Sequence, residues 1–162
     1  MRKIVLFIVL NLILILTSAC NKKDQYIVIS YETNGGIELK PQYIYEDVHN
    51  QYIEIITTKE GYRFIGWFTD PNFDPNSKVV HNQQFFKDTT LYAKWEIMTY
   101  IVTVTYFDFT KTYAVEYGKE LVFEKLEING FYFQYFYYNE TKISDSIIVK
   151  EDMCINANFE GW

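Results

Sequence analysis

Cysteine, histidine and proline are all scarce in this chain of 162 residues, which contains two, two and three of them respectively. Two cysteines, Cys20 and Cys154, cannot supply the disulfide network that staples many small exported domains. The histidines, His49 and His81, have no partner residues at the spacing of a zinc site. We therefore expect a fold held together by packed side chains, without a structural metal.

The first residues of the chain have the parts of a bacterial export signal. Arg2 and Lys3 are cationic, and the 13 residues from Ile4 to Leu16 are apolar except for Asn11. A membrane-spanning helix needs about 20 apolar residues. The shorter run favours a signal peptide at residues 1–19 over a permanent membrane helix.

The end of this signal resembles the lipobox of bacterial lipoproteins. The small residues Ser18 and Ala19 precede Cys20, although Thr17 stands where that motif usually has leucine. The resemblance implies that diacylglycerol is attached to Cys20, that residues 20–25 form a short tether, and that the protein is lipid-anchored on the extracytoplasmic face of the cell membrane. The alternative is an ordinary cleaved signal followed by an incidental cysteine.

Positive charge is also in short supply. The 21 acidic residues outnumber the 15 basic ones, which gives a net charge of −6, and loss of Arg2 and Lys3 with the signal makes it −8. Nucleic acids and anionic lipid surfaces need a cationic patch that releases their counterions. Neither is an expected partner, so membrane contact is expected only through the N-terminal lipid.

Aromatic residues, in contrast, are abundant, with 15 Tyr, 13 Phe and 3 Trp, and no long helical periodicity is present. Aromatic and β-branched residues favour pleated, half-buried surfaces, so the mature chain is expected to be mainly β.

The mature chain contains two copies of one unit. Their closing segments, 88–96 and 152–160, place Asp, Ala, Glu and an aromatic residue in the same register, and segment 61–68 matches 130–137. Their openings, Tyr26 to Ile29 and Tyr100 to Thr103, agree as well. We therefore expect domains at residues 26–96 and 100–162, joined by a linker at residues 97–99.

The first copy resembles the internalin-B-type B repeat, also called the Listeria–Bacteroides repeat. The matching motifs are Thr-Asn-Gly-Gly at residues 33–36, Gly-Tyr-Arg-Phe-Ile-Gly-Trp-Phe at 61–68 and Asp-Thr-Thr-Leu-Tyr-Ala-Lys-Trp at 88–95. The second copy is a degenerate relative, with residues 108–111 replacing the Asn-Gly-Gly turn and Tyr135 replacing Gly66. The resemblance implies two tandem, small β-grasp-like (ubiquitin-like) sheet domains of a bacterial surface protein, used for adhesion, host-factor interaction or spacing.

Alternation along the strands predicts which side chains enter each core. In the third strand of the first copy, Tyr62, Phe64 and Gly66 are expected on one face and Arg63, Ile65 and Trp67 on the other, and Gly66 is expected to leave room for Trp95. The expected core positions of the closing strands are Leu91, Ala93 and Trp95 in the first copy and Ile155, Ala157 and Phe159 in the second. Cys154 then lies on the opposite face.

The only candidate ion site is the segment 70–76, where two aspartates and an asparagine have the spacing of the first ligands of a calcium loop. Pro75 and His81 occupy the positions that need glycine and glutamate, so a surface loop is favoured. No serine lies in a nucleophile elbow, and no glycine loop fits a phosphate. We expect no enzyme activity, no catalytic residue, no metal and no cofactor.

The segment 131–138 has seven aromatic residues out of eight. Since alternate positions face opposite ways, Tyr132, Phe136 and Tyr138 are expected on the face away from the core. If uncovered, they would form a binding patch for an extracellular protein or glycan; a loop or the first repeat is the alternative neighbour. The sequence thus predicts a lipid-anchored surface protein that mediates adhesion or binding. The alternative function is a structural spacer, or an envelope-associated lipoprotein without an external ligand.

Overall fold

A computed structural model describes residues 26–45, 52 and 54–162. The predicted signal peptide, Cys20, the tether and His49 lie outside these residues. The described chain is mainly β, as expected. Its strands are β1 (Tyr26–Glu32), β2 (Gln42–Tyr45), β3 (Tyr62–Phe68), β4 (Thr89–Ile97), β5 (Thr99–Tyr106), β6 (Phe109–Glu116), β7 (Glu120–Val122), β8 (Phe131–Tyr138), β9 (Thr141–Ile143), β10 (Ser146–Ile148) and β11 (Met153–Gly161), and a short 3-10 helix covers Pro75–Ser77.

The first four strands form one sheet with the order β2-β1-β4-β3. β1 runs parallel to β4, and the other neighbouring strands are antiparallel. The buried core on one face of this sheet consists of Ile27, Ile29, Ile44, Tyr52, Trp67, Phe85, Leu91 and Ala93. Trp95 packs against it, so the predicted core face of the first closing strand is confirmed.

The turn after β1 makes room for Trp95. Gly35 has a φ of 85°, in the left-handed region that glycine adopts without strain, and the Gly36 N–H donates to the Thr33 carbonyl over 3.1 Å. A Cβ on Gly36 would lie 2.6 Å from Cζ2 of Trp95, and the indole N–H of Trp95 donates to the same Thr33 carbonyl over 2.8 Å. Gly36, and not Gly66 as predicted, therefore gives Trp95 its space.

A β-bulge in β3 changes which residues face the core. Phe64 lies opposite Trp95 and Gly66 lies opposite the preceding residue of β4, so Ile65 is the extra, unpaired residue. An extra residue reverses the alternation beyond it, and Trp67 therefore shares the core face with Phe64. Trp67 is 1% exposed, so the predicted separation of Phe64 and Trp67 onto opposite faces is wrong.

Strands β5 to β11 follow a related plan. Five of them form a sheet with the order β6-β5-β11-β8-β9, in which β5 is parallel to β11, and β7 and β10 form a separate two-stranded ribbon. The buried core consists of Val102, Val104, Tyr106, Phe123, Phe136, Val149, Met153 and Ile155. Ala157 and Phe159 pack against this core, and Cys154 is exposed on the other face, so the predicted faces of the second closing strand are confirmed.

The second sheet also has a bulge, and it lies at the matching position. Phe133 is opposite Phe159 and Tyr135 is opposite Asn158, which leaves Gln134 as the extra residue of β8. In the match of segment 61–68 with 130–137, Gln134 occupies the position of Ile65. The sequence alignment of these segments thus coincides with a shared irregularity of the backbone.

The two parallel strand pairs determine how the openings correspond. Ile29 lies opposite Thr89, and Val102 lies opposite Met153. Since Thr89 and Met153 each follow the aspartate that begins a closing motif, Ile29 corresponds to Val102. The predicted match of Ile29 with Thr103 is therefore one residue out of register.

The recurring aspartate has the same structural role in both sheets. Asp88 accepts a hydrogen bond from the Val28 N–H over 2.9 Å, and Asp152 accepts one from the Ile101 N–H over 2.7 Å. In each case the donor immediately precedes the first residue paired with the closing strand. The carboxylate thus satisfies a backbone N–H at the start of the parallel pair, which explains why this residue recurs.

The two sheets are joined at Met98, which is the residue between the end of β4 and the start of β5. The strands thus extend into the linker predicted at residues 97–99. The Met98 N–H donates to the Gly61 carbonyl over 2.9 Å, and its carbonyl accepts from the Tyr117 N–H over 2.8 Å. The Tyr117 hydroxyl also donates to the Glu60 carboxylate. Backbone hydrogen bonds therefore connect the joint to residues of both halves of the chain.

Candidate binding surface

The structure does not bring the predicted patch of Tyr132, Phe136 and Tyr138 together on one outer face. The bulge at Gln134 lies between Tyr132 and Phe136 and reverses the alternation. Phe136 is 0% exposed, and its ring centroid is 4.7 Å from that of Phe133 in the second core. The prediction that Phe136 faces away from the core is wrong.

Tyr138 lies on the same side of β8 as Phe136. Its ring packs against the second core, and its hydroxyl donates to the Glu151 carboxylate over 3.2 Å. Burial raises the pKa of the Tyr138 hydroxyl, and the bond to Glu151 adds to the shift. Tyr138 is thus a half-buried residue held in place by the fold.

Tyr132 is the member of the predicted patch that remains at the surface. It is 41% exposed, and its ring centroid is 5.9 Å from that of Trp162. The neighbouring Glu160 carboxylate raises the pKa of the Tyr132 hydroxyl. A cleft of about 650 Å³ beside it is lined by residues 125–133 and Trp162. Of the three predicted residues, only Tyr132 is accessible, and its pairing with Glu160 places it on the outer face of the second sheet.

A wider surface lies beside Tyr132, on the face of the second sheet that points away from its core. One row of side chains crosses all five strands, and shorter rows flank it. We call these ten residues the outer array: Thr110, Thr105, Asn156, Tyr137 and Lys142 in the long row, with Thr112, Thr103 and Cys154 on one side and Asn158 and Tyr135 on the other. Every member is exposed or half-buried.

The outer array contains one charged residue, Lys142, which lies on the edge strand. Its ammonium nitrogen is 5.0 Å from the centroid of the Tyr135 ring, within the range of a cation–π contact. The ring centroids of Tyr135 and Tyr137 are 6.4 Å apart. The centre of the array therefore presents hydroxyls, amides and two aromatic rings without a formal charge.

The corresponding face of the first sheet is charged and covered. Its row at the same register contains Glu32, Tyr92 and Phe68. Phe73 packs against Phe68 with a centroid distance of 5.6 Å, and the Lys94 ammonium lies 5.3 Å from the Phe68 ring. Phe68 is accordingly 3% exposed. The loop that follows β3 thus closes over this side of the first repeat.

The second sheet turns back without such a loop. β8 ends at Tyr138 and β9 begins at Thr141, so a turn of two residues, Asn139 and Glu140, joins them. Both have positive φ, 46° and 63°, which suits a tight hairpin. Tyr137, which occupies the register position of Phe68, is therefore half-buried instead of covered.

The loop after β3 uses its aspartates to hold its own backbone. The Asp70 carboxylate accepts from the Asn72 N–H over 2.9 Å, and the Asp74 carboxylate accepts from the Asn76 N–H over 2.8 Å. Such bonds are typical of turns built on aspartate. Among the residues that the structure describes, no three or more His, Cys, Asp or Glu side chains are grouped to hold a metal ion.

Sequence reasoning missed the outer array because it followed aromatic density. The signal that could have found it lies in the two central strands, where Thr103 and Thr105 alternate with buried valines and Asn156 and Asn158 alternate with Ile155 and Ala157. Such alternation of apolar and uncharged polar residues predicts a strand whose outer side is polar and uncharged.

The comparison with protein families identifies the first repeat. Residues 28–94 match the family model of the Listeria-Bacteroides repeat domain. This segment, which extends from β1 into β4, is therefore a Listeria–Bacteroides repeat, as its three motifs predicted.

One relative is a protein of Evansella cellulosilytica whose name describes it as a Gly-rich membrane protein. It is 35% identical over 80 residues, which is 46% of this chain and 8% of that protein. The chain thus spans less than a tenth of the length of this relative. No solved structure matches the chain. Within residues 26–45, 52 and 54–162, no helix is long and apolar enough to cross a membrane.

Proposed function

We propose that this protein is a lipid-anchored surface protein whose two tandem, β-grasp-like repeats mediate adhesion or ligand binding without catalysis. The observation that carries the proposal is the outer array, a five-stranded sheet face that the rest of the described chain leaves accessible. A sheet face of this width, with one charged residue at its edge and two half-buried tyrosine rings, is suited to contact another molecule. The second repeat is thus the binding repeat of the pair.

The tandem arrangement is supported by features common to both sheets. Each has a parallel pair of opening and closing strands, a bulged antiparallel neighbour and an aspartate bonded to the opening strand. The first sheet is part of a Listeria–Bacteroides repeat. We infer that the second is a degenerate copy of the same repeat, with its outer face changed for binding.

The proposed anchor is the lipid on Cys20, which the motif at residues 16–20 supports. The name of the Evansella relative as a membrane protein agrees with a location at the membrane. Cells expressing the full chain should incorporate labelled fatty acid into this protein and deliver it to the detergent phase. Cys20→Ala should abolish both, and equal labelling of the two proteins would remove the anchor from the proposal.

The second candidate function is a structural spacer, and the joint at Met98 favours it. A joint of one residue whose N–H and carbonyl are both bonded to neighbouring backbone holds successive repeats at a set angle. A spacer needs such stiffness but no accessible binding face.

Photo-crosslinking from Cys154 separates the two functions. Cys154 is exposed within the outer array, and Cys20 is the only other cysteine of the chain, so a maleimide-benzophenone labels this face in the unmodified sequence. On intact cells, reproducible crosslinks to one external macromolecule are expected for a binding protein. Crosslinks confined to the chain itself or to the cell's own envelope would favour the spacer. Cys154→Ser supplies the control for labelling elsewhere.

A further inference from the structure

The outer array differs in charge from the rest of the protein. The chain has 36 charged residues, counting 21 acidic and 15 basic ones, and a net charge of −6. Of the ten residues in the array, Lys142 alone is charged, and it lies on the edge strand β9. A binding face with one charged residue in an acidic protein is matched to a ligand without charge, because an anion would be repelled by the surroundings. The nearest carboxylate on the same face is that of Glu160, two residues beyond Asn158, and it already accepts a hydrogen bond from Gln134 over 3.0 Å.

The charges are missing at positions where the first repeat has them. By register, Thr105 occupies the position of Glu32, and Asn158 occupies the position of Lys94. Both replacements keep a hydrogen-bonding group and remove the charge. The outer face of the second repeat has thus kept its polarity while losing its ionic character.

The same comparison shows where the aromatic rings come from. Tyr135 occupies the position of Gly66, over which the first repeat lays the side chain of Lys78: a Cβ on Gly66 would lie 2.9 Å from the Lys78 Cε. Tyr137 occupies the position of Phe68, which the first repeat buries under Phe73. Tyr135 and Tyr137 are therefore half-buried at positions that the first repeat covers, with Lys142 lying over the Tyr135 ring.

The hydrogen-bonding groups of the array recur at the spacing of the strands. Neighbouring strands lie about 4.8 Å apart, so the long row of five residues extends over roughly 19 Å. The side-chain hydrogen bonds of the second repeat lie at its margins instead, in pairs such as Gln134 with Glu160 and Ser146 with Glu120. The central hydroxyls and amides therefore face outward, where a ligand with repeated polar groups can contact several of them.

Resting on the proposed binding function, we propose that the outer array of the second repeat binds a neutral polysaccharide. The apolar C–H faces of the sugar rings stack on Tyr135 and Tyr137, and the sugar hydroxyls exchange hydrogen bonds with Thr105, Asn156 and Asn158. A hydroxyl can both donate and accept a hydrogen bond, and a side-chain amide has a donor NH₂ and an acceptor oxygen. A hydroxyl-rich polysaccharide can therefore form hydrogen bonds with all the polar groups of the array. A protein partner fits less well, because the centres of protein interfaces are rich in Trp, Tyr and Arg and poor in threonine contacts that contribute energy.

The test uses the full lipidated chain, purified in detergent micelles, and measures its depletion by insoluble polysaccharides. Amorphous cellulose, chitin, mannan, xylan and starch serve as neutral probes, and polygalacturonate serves as the anionic comparison. Retention on at least one neutral probe is expected, with weaker retention on polygalacturonate. The bound probe should also slow the reaction of Cys154 with maleimide, because this thiol lies in the row next to Thr105 and Asn156.

Three substitutions assign the binding to the array. Tyr137→Ala should weaken retention at least tenfold, and Asn156→Asp should do the same by adding a charge at nearly constant shape. Thr105→Val, which keeps the shape and removes one hydroxyl, should give a smaller loss. Tyr43→Ala is the matched control, since Tyr43 is an exposed tyrosine of the first sheet, and it should bind as wild type. The thermal transition of each variant shows whether it remains folded.

The outcomes distinguish this inference from the function on which it rests. Retention on none of the neutral probes, or equal retention of wild type, Tyr137→Ala and Asn156→Asp, would overturn the polysaccharide inference. If Cys154 at the same time crosslinks to an external protein, the protein remains a binding module with another ligand. If Cys154 gives no external crosslink either, both proposals fail and the spacer function is left.

Discussion

Replacement of Phe136 by alanine tests the bulge in β8, because this bulge places Phe136 in the core, whereas strict alternation along the strand would place it at the surface. Phe136 is fully buried, and its ring centroid lies 4.7 Å from that of Phe133, 4.8 Å from that of Phe123 and 6.1 Å from that of Tyr106. Removing such a ring costs about 3–5 kcal/mol. The whole stability of a unit the size of residues 100–162 is about 3–9 kcal/mol at the usual value per residue. Phe136→Ala should therefore leave the second repeat barely folded or unfolded.

Urea unfolding of the purified chain measures this loss. For a small domain the free energy falls by about 1–3 kcal/mol per molar urea, so the midpoint of the second repeat should decrease by at least about 1 M. Tyr132→Ala is the matched control on the same strand, and as an exposed position it should change the free energy of unfolding by no more than about 0.5 kcal/mol. Hydrogen exchange in β8 and β3 assigns the change to the second or the first repeat.

The reasoning is refuted if Phe136→Ala and Tyr132→Ala unfold at the same urea concentration. Strict alternation along β8 would place both residues on the outer face and predicts this equal result. A larger loss for Tyr132→Ala than for Phe136→Ala would also refute the reasoning. If Phe136→Ala lowers stability but the hydrogen-exchange protection is lost in β3, the ring would pack against the first repeat and not the second, which also contradicts the structure.

Two further changes test the joint and the buried tyrosines. Gly61 has a φ of 77°, and an added Cβ would lie 2.0 Å from Cδ1 of the Tyr117 ring. Gly61→Ala should therefore reduce the free energy of unfolding by about 1–2 kcal/mol for the left-handed backbone, and by more for the clash with Tyr117. Gly118→Ala, with a φ of 75° and open space around it, measures the backbone cost alone, and equal urea midpoints for the two variants would contradict the contact. Burial raises the pKa of the Tyr52 and Tyr106 hydroxyls above the usual value of about 10, so their contribution to stability is complete below about pH 10 and is lost as the pH rises further. The urea midpoint should therefore fall between pH 8 and pH 11, less so in Tyr106→Phe, and a constant midpoint would disprove the shift.

Much of the fold could be predicted from the sequence because the closing strands follow simple rules. Leu91 and Ala93 in β4, and Ile155 in β11, are buried as their alternation predicts, and Cys154 is exposed between Met153 and Ile155. Each of these residues is paired with one neighbouring strand, and the pairing has no irregularity at its position. Alternation is reliable where nothing interrupts the pairing.

The candidate site was harder to predict, because one unpaired residue determines it. Strict alternation along segment 131–138 predicts Phe136 at the surface. Because Gln134 is an extra residue, Phe136 instead faces the core, and Tyr135 and Tyr137 face outward. A bulge is defined by pairing with another strand, which a single strand sequence does not contain. The sequence match of Gln134 with Ile65 predicts a bulge at Gln134 only when the strand register around Ile65 is already known.

The role of glycine in the first repeat was misjudged for a related reason. Both Gly36 and Gly66 make room for a long side chain, Trp95 in one case and Lys78 in the other. The sequence indicates that a glycine permits close approach but not which distant residue approaches. Tertiary contacts across 59 residues of chain, between Gly36 and Trp95, decide the pairing.

The parallel pairing of opening and closing strands sets how each repeat responds to mechanical load. Because β1 is parallel to β4, the chain enters at one end of the pair and leaves at the other. When the chain is pulled from its two ends, the two strands are drawn past each other along their length. The hydrogen bonds between them then resist together in shear instead of opening one after another. Tension along the chain therefore acts in the most resistant direction of the first repeat.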